Sequence, residues 1–368
     1  MKLSAGLLAL LFCTVATAGT RIPGDILNPD DFRTVVDGRQ ISLETISNGK
    51  ITAQITNFYG YIVGLFVPDR DGNYTNVVGY NKTIQEYIQG TRNPVGTTVG
   101  RFAGRLGNGI APIEGKIYNI TKNSGKHTLH GGAMGLAKTI WDFEKVTRKS
   151  VTLSTVMADG LDGWPGNLKI YVKFYVKGRS LYIKYTATTD KTTHCSLSHH
   201  AYFNLNGMES GDILGHYLQV DADNITECDS DLIPTGRLSP VEGTAYDFRK
   251  ETRIGDRQFS MQAVRQVPGA PAAVPEGMVR NFNDAFCLNH SDSRKLQHVA
   301  TLYAPESGRV MEMFNNHPVV HIYTGSSKGV AMESQMHPDA PNHPEFPSTL
   351  LHPGETYRHT IEFRFSTR

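Results

Sequence analysis

The stretch LKIYVKFYVKGRSLYIKYTA, residues 168–187, decides the fold. In its first half Leu168, Ile170, Val172, Phe174 and Val176 alternate with Lys169, Tyr171, Lys173, Tyr175 and Lys177. A period of two sends the apolar side chains to one face of an extended strand and the lysines to the other, so one face is buried and one is wet. Gly178 and Arg179 interrupt the run and alternation resumes from Leu181, which predicts an antiparallel hairpin around Gly178. Ile361, Phe363 and Phe365 repeat the device, and similar short runs occur at 51–55, 151–156, 217–220, 298–303 and 319–323. Helix-period stretches are few and short. Many short strands separated by Gly, Pro, Asn and Asp clusters imply an all-β protein, a large antiparallel β-sandwich.

Composition narrows the function classes. The 368 residues carry 37 basic and 35 acidic side chains, a formal net charge of +2, with both signs scattered. A nucleic-acid binder would show a basic excess and a basic stripe. Lys2, the apolar run 7–15 and Ala16-Thr17-Ala18 read as a secretory signal peptide over 1–18, followed by one sandwich domain over 19–368. The run is too short to span a bilayer and no later segment approaches the required length, so no membrane partner is expected. Residues 267–275, with three prolines and three alanines, read as a surface excursion rather than a boundary. Secretion is the expected localisation, and sequons at Asn73, Asn81, Asn119, Asn224 and Asn289 fit a glycoprotein. After the leader only Cys195, Cys228 and Cys287 remain, and small buried thiols are favoured over a disulfide.

Polar chemistry interrupts the strand pattern in five Gly- and Pro-rich segments: GRFAGRL at 100–106, HTLHGG at 127–132, SHHAYFNL at 198–205, HPVVHIYTG at 317–325 and MESQMHPDAPN at 332–342. Aromatics beside His, Arg, Asp and Glu suit a sugar, whose C–H surface packs on rings while its hydroxyls take hydrogen bonds. Glycine in HGG lets backbone approach a ligand closely.

With HGG at 130–132 and Trp141, GWPGNL at 163–168, HAYFNL at 200–205, LIPTG at 232–236, YTG at 323–325, ESQ at 333–335 and PDAPNHP at 338–344, the chain resembles the aldose 1-epimerase family over nearly all of residues 35–368. The resemblance implies a β-sandwich of the supersandwich type, as in galactose mutarotase, and interconversion of the α and β anomers of a free aldose such as glucose or galactose. It implies Glu333 as general base and His200 as general acid, with His130 and Arg105 holding the ring oxygen and neighbouring hydroxyls. Asp284 is taken as the hydroxyl-binding carboxylate; His321 and Tyr202 complete the expected substrate-binding set. A Glu facing a protonated His should be held in its ionised form.

Several positions depart from the family pattern: Gly104, His127, His199 and Asn283, and His321 in place of the usual Gln. The fourteen histidines raise a metal site as a rival, but no HExxH occurs and adjacent His199 and His200 on a strand point to opposite faces, so none is expected. No cofactor is expected, the partner is a small monosaccharide, and the assembly a monomer or weak dimer. The alternative is a secreted, non-catalytic carbohydrate-binding protein on the same fold.

Overall fold

Leu168–Lys177 and Ser180–Thr189 form the expected hairpin, pairing Lys177 with Ser180 across a turn in which Gly178 adopts φ 61°. The structure, a computed structural model, describes residues 23–90, 96–259, 278–290, 295–325 and 328–368. The leader over 1–18 and the excursion over 267–275 lie outside the described residues. Leu168, Ile170, Val172 and Phe174 are fully buried, while the intervening lysines are exposed.

From this hairpin an antiparallel sheet of nine strands grows in both directions. On one side Ser180–Thr189 pairs with the C-terminal strand Tyr357–Thr367, and that strand with Arg309–Asn315, so the last residues of the chain sit in mid-sheet. On the other side lie Ser150–Met157 and Asp142–Thr147. A six-stranded sheet contains the adjacent strands Tyr202–Phe203, Val330–Gln335, Val319–Tyr323, Asn283–Leu288 and Ala222–Cys228. A four-stranded sheet over Leu43–Asn76 adjoins it through a bridge between Val78 and Phe203.

The main core joins all three sheets: Val172, Phe174 and Phe363 from the nine-stranded sheet, Val320, Ile322 and Met332 from the six-stranded one, Ile55 and Leu65 from the four-stranded one. Burial of such side chains is each worth about 1.5–3 kcal/mol. Among the described residues the one α-helix is Ile84–Gly90, and no helix there is long and apolar enough to cross a membrane.

The three thiols are free. Cys195 and Cys287 are buried as expected, whereas Cys228 is exposed, because it ends its strand at the rim of a cavity.

Candidate active site

Three neighbouring strands build the floor of that cavity. Register pairs His321 with Glu333 on one side and with Ala285 on the other, and pairs Tyr323 with Asn283. Alternation along each strand then puts Glu333, Gln335, His321, Tyr323, Asn283 and Ala285 on one face, and all six line a cavity of about 200 Å³. That is smaller than the roughly 300–1,000 Å³ of pockets for drug-sized ligands, and suits a single small molecule. A larger concavity of about 710 Å³, lined by Cys195, His317, Met336 and Tyr357 among others, has no carboxylate–imidazole ion pair on its walls among the described residues. Convergent chemistry, not volume, marks the site.

The same alternation corrects one expectation. Asp284 falls between Asn283 and Ala285 and is not part of the cavity lining; it is half-buried near Cys228 and Tyr246, and its Oδ2 accepts the backbone N–H of Asn283. Burial raises its pKa to about 6. On the cavity wall stands Asn283 instead, whose Oδ1 accepts from His321 Nε2–H at 2.9 Å.

Loops bring the remaining groups. His199 ends the short strand Ser198–His199, and His200 just beyond it points the other way. His199 packs edge-on against Phe174 in the core, while His200 faces the cavity with its Nε2 3.4 Å from Glu333 Oε1. Tyr202 lines the wall and stacks on His200, centroids 5.0 Å apart. Arg105 and Leu129 are paired on two short strands, and just beyond that pair His130 Nδ1 accepts the N–H of Gly104. His130 itself adopts φ 52°, and Gly131 follows with φ 95°, where an added Cβ would meet the Gly100 carbonyl oxygen at 2.3 Å. Only glycine fits there. Trp164 Nε1 donates to the Gly131 carbonyl at 2.8 Å from a fully buried position.

His127 lies apart from the cavity lining. Its Nδ1 accepts from Asn108 N–H and its Nε2 stands 3.6 Å from Asp231 Oδ2, a structural role. Gly104 has φ 87°, and a Cβ there would meet Gln335 Nε2 at 3.0 Å.

A profile of the family described as aldose 1-epimerase matches residues 42–364. The chain belongs to the aldose 1-epimerase family. It is 33% identical over 338 residues to the galactose mutarotase of Sus scrofa, a match covering 87% of this chain and 93% of that protein. It is 34% identical to the human galactose mutarotase, covering 83% and 88%. Among solved structures, the aldose epimerase homologue from C. elegans superposes with a TM-score of 0.77 at 28% identity, covering 89% of this chain and 99% of that one. The supersandwich fold and the isomerase class follow from these matches.

Electrostatics within this epimerase cavity are ruled by burial. Desolvation raises Glu333 to about 8, against a smaller opposing pull from the Arg105 guanidinium. Desolvation lowers His200 to about 4. Burial thus biases both groups toward their neutral forms, against the expectation of an ionised Glu333 facing a charged His200. His321 is lowered to about 3 and His130 well below its ordinary value, again chiefly by burial.

Ligand atoms of His130, His200 and Glu333 lie within 4.8 Å of one another, close enough to suggest a cation. The donor set argues otherwise. Gly104 N–H occupies the lone pair of His130 Nδ1, so the neutral ring carries its proton on Nε2 and presents a donor, not a lone pair.

Two wall residues escape single-residue reading. Gln335 is fully buried with neither Oε1 nor Nε2 partnered, and Tyr323 sits edge-on to His200 at 6.0 Å. Both lay inside motifs already noted, and the two-residue spacing from Glu333 and His321 is the signal that places them on the same face.

Proposed function

We propose that this chain interconverts the α and β anomers of a free aldose, with Glu333 and His200 handling the proton and Arg105, His130, His321 and Asn283 reading the ring oxygen and hydroxyls. The observation that carries this reading is the buried Glu333–His200 pair, 3.4 Å apart, opening on a monosaccharide-sized cavity.

One group removes the proton from the anomeric hydroxyl while the other protonates the ring oxygen. The C1–O5 bond breaks to leave an aldehyde and a C5 hydroxyl. Rotation about C1–C2 offers the other carbonyl face, and reclosure returns both protons. Nothing is oxidised or reduced, so no redox cofactor is required. Because the groups exchange roles between opening and closing, the pair needs one proton in total rather than a fixed acid and a fixed base. Burial favours that one proton on Glu333, and a transfer across 3.4 Å gives the carboxylate–imidazolium form that starts the opening. His130 Nε2–H is aimed as a donor for a sugar oxygen. A binding protein without turnover would have no use for a buried acid–base pair.

Freshly dissolved α-D-glucose or α-D-galactose tests this by polarimetry. The purified protein should speed the decay of rotation, and Glu333→Gln and His200→Asn should each lower kcat/KM by roughly 10²–10⁴. Undiminished rates in both variants would remove the pair from the mechanism.

The reading extends to secretion and glycosylation. It rests on the leader pattern over 1–18 and on the exposed positions of Asn73, Asn119 and Asn289. Expression of the full chain in a glycosylating eukaryotic host should put a product in the medium that shifts on glycosidase treatment; retention inside the cells, unshifted, refutes it.

A further inference from the structure

Arg105 is a half-buried cation on the cavity wall, and among the described residues it makes no ion pair. The carboxylate that acts on it is Glu333, which is already engaged with His200. Asp284, near Cys228 at the cavity rim, is not among the groups that act on it. Glu333 is also the one acidic residue on the described walls; the other polar ones are His130, His200, His321, Asn283, Gln335, the tyrosines and Cys228.

Donors crowd the space beside this cation. Asn283 spends its carbonyl oxygen on His321, which leaves its amide N–H groups for a ligand. Gln335, fully buried, leaves both Nε2 and Oε1 unpartnered, so its amide can add a donor here as well as an acceptor. A half-buried charge without a counterion gains from one, and a neutral hexose would bring none. A guanidinium is matched best by a planar carboxylate, which it can bind through two parallel hydrogen bonds. A phosphate dianion would bring one charge too many, since no lysine and no second arginine lines the cavity. An Asp at 283 would repel any anion; the amide does not.

We infer that the preferred substrates are aldoses bearing a carboxylate, the uronic acids, with Arg105 and the Asn283 amide receiving the carboxylate while Glu333 and His200 work at the anomeric carbon. This deepens the epimerase reading and rests on it. The carboxylate takes no part in the chemistry, which remains ring opening and reclosure.

The test compares D-galacturonate and D-glucuronate with D-galactose and D-glucose, using NMR magnetisation exchange between the α and β H1 signals for turnover and calorimetry for binding. Uronate kcat/KM should equal or exceed that of the hexose of the same configuration and fall with added salt. Asn283→Asp should lower the uronate-to-hexose ratio at least tenfold. Hexose turnover that exceeds uronate turnover, or a ratio unmoved by Asn283→Asp, overturns the inference and leaves the epimerase reading standing. Should no sugar exchange at all, the epimerase reading fails and the inference about its substrates falls with it, whatever calorimetry shows of binding.

Discussion

Glu333 and His200 are both driven toward neutrality by the same cause, removal from water, and this sets how the rate should respond to pH. Glu333 releases its proton near 8 and His200 gains one near 4. Between those values the pair holds the single proton that the chemistry needs. Above the upper limit both groups are deprotonated and no acid remains for the ring oxygen; below the lower one both are protonated and no base remains for the anomeric hydroxyl. The kcat/KM profile should therefore be a bell with limbs near 4 and 8, measured by polarimetry in buffers that do not catalyse mutarotation. A flat profile from 5 to 10 would show that the pair does not titrate as one unit. The types of these two residues were legible in the sequence; their protonation was not. A sequence shows which groups meet, whereas the sign of a pKa shift depends on how much water the fold leaves around them.

At the scale of elements, the site is a strand face faced by a clipped loop. The hairpin at 168–187 was readable because one of its faces stays wet. Val330–Gln335 offers no such alternation, since all six residues are buried, one side by core and the other by cavity walls. Its place could be read only from the motif around Glu333. Asp284 against Asn283 is a related case: chemistry favours the carboxylate, but register decides which of two neighbours lines the cavity, and that is Asn283. Register comes from pairing with Val319–Tyr323, about 40 residues further along the chain. The loop carrying His130 is held by Trp164, whose N–H satisfies the buried Gly131 carbonyl. Trp164→Phe keeps the ring and removes the donor, leaving that carbonyl unpaired at a cost of about 1–3 kcal/mol. The loop should then relax, raising KM several-fold with a smaller change in kcat, while circular dichroism keeps its β signature. Unchanged KM and kcat would mean that Asn123, which bonds the Leu129 N–H and the carbonyls of Leu129 and Gly132, suffices alone.

For the whole molecule, strand identity was local and legible, while strand order was not, because the C-terminal strand inserts between segments nearly 200 and some 50 residues earlier. The folded sandwich buries histidines outside the cavity lining. His317 and His359 stack face to face at 3.6 Å, His216 Nε2 accepts the Leu205 N–H, and His337 lies flat on Phe346. Burial lowers His317 to about 3, His216 and His337 to about 4, and His359 well below its usual range. In the unfolded chain each takes up a proton below about 6.5, while the folded protein refuses it until much lower, so acid favours unfolding across that window. At pH 5 each such histidine removes about 2 kcal/mol of the stability present above pH 6.5. Glu44, Asp284, Glu333 and Asp339 work in the opposite sense, because the folded state protonates them first, but these four carboxyls stand against ten histidines lowered by burial, the four above together with His130, His194, His199, His200, His290 and His321. Denaturant titration should therefore find a clearly lower midpoint at pH 5 than at pH 7.5. A midpoint that holds or rises on acidification would mean that these imidazoles find water or charge in the native state, and that the sandwich does not seal them as described.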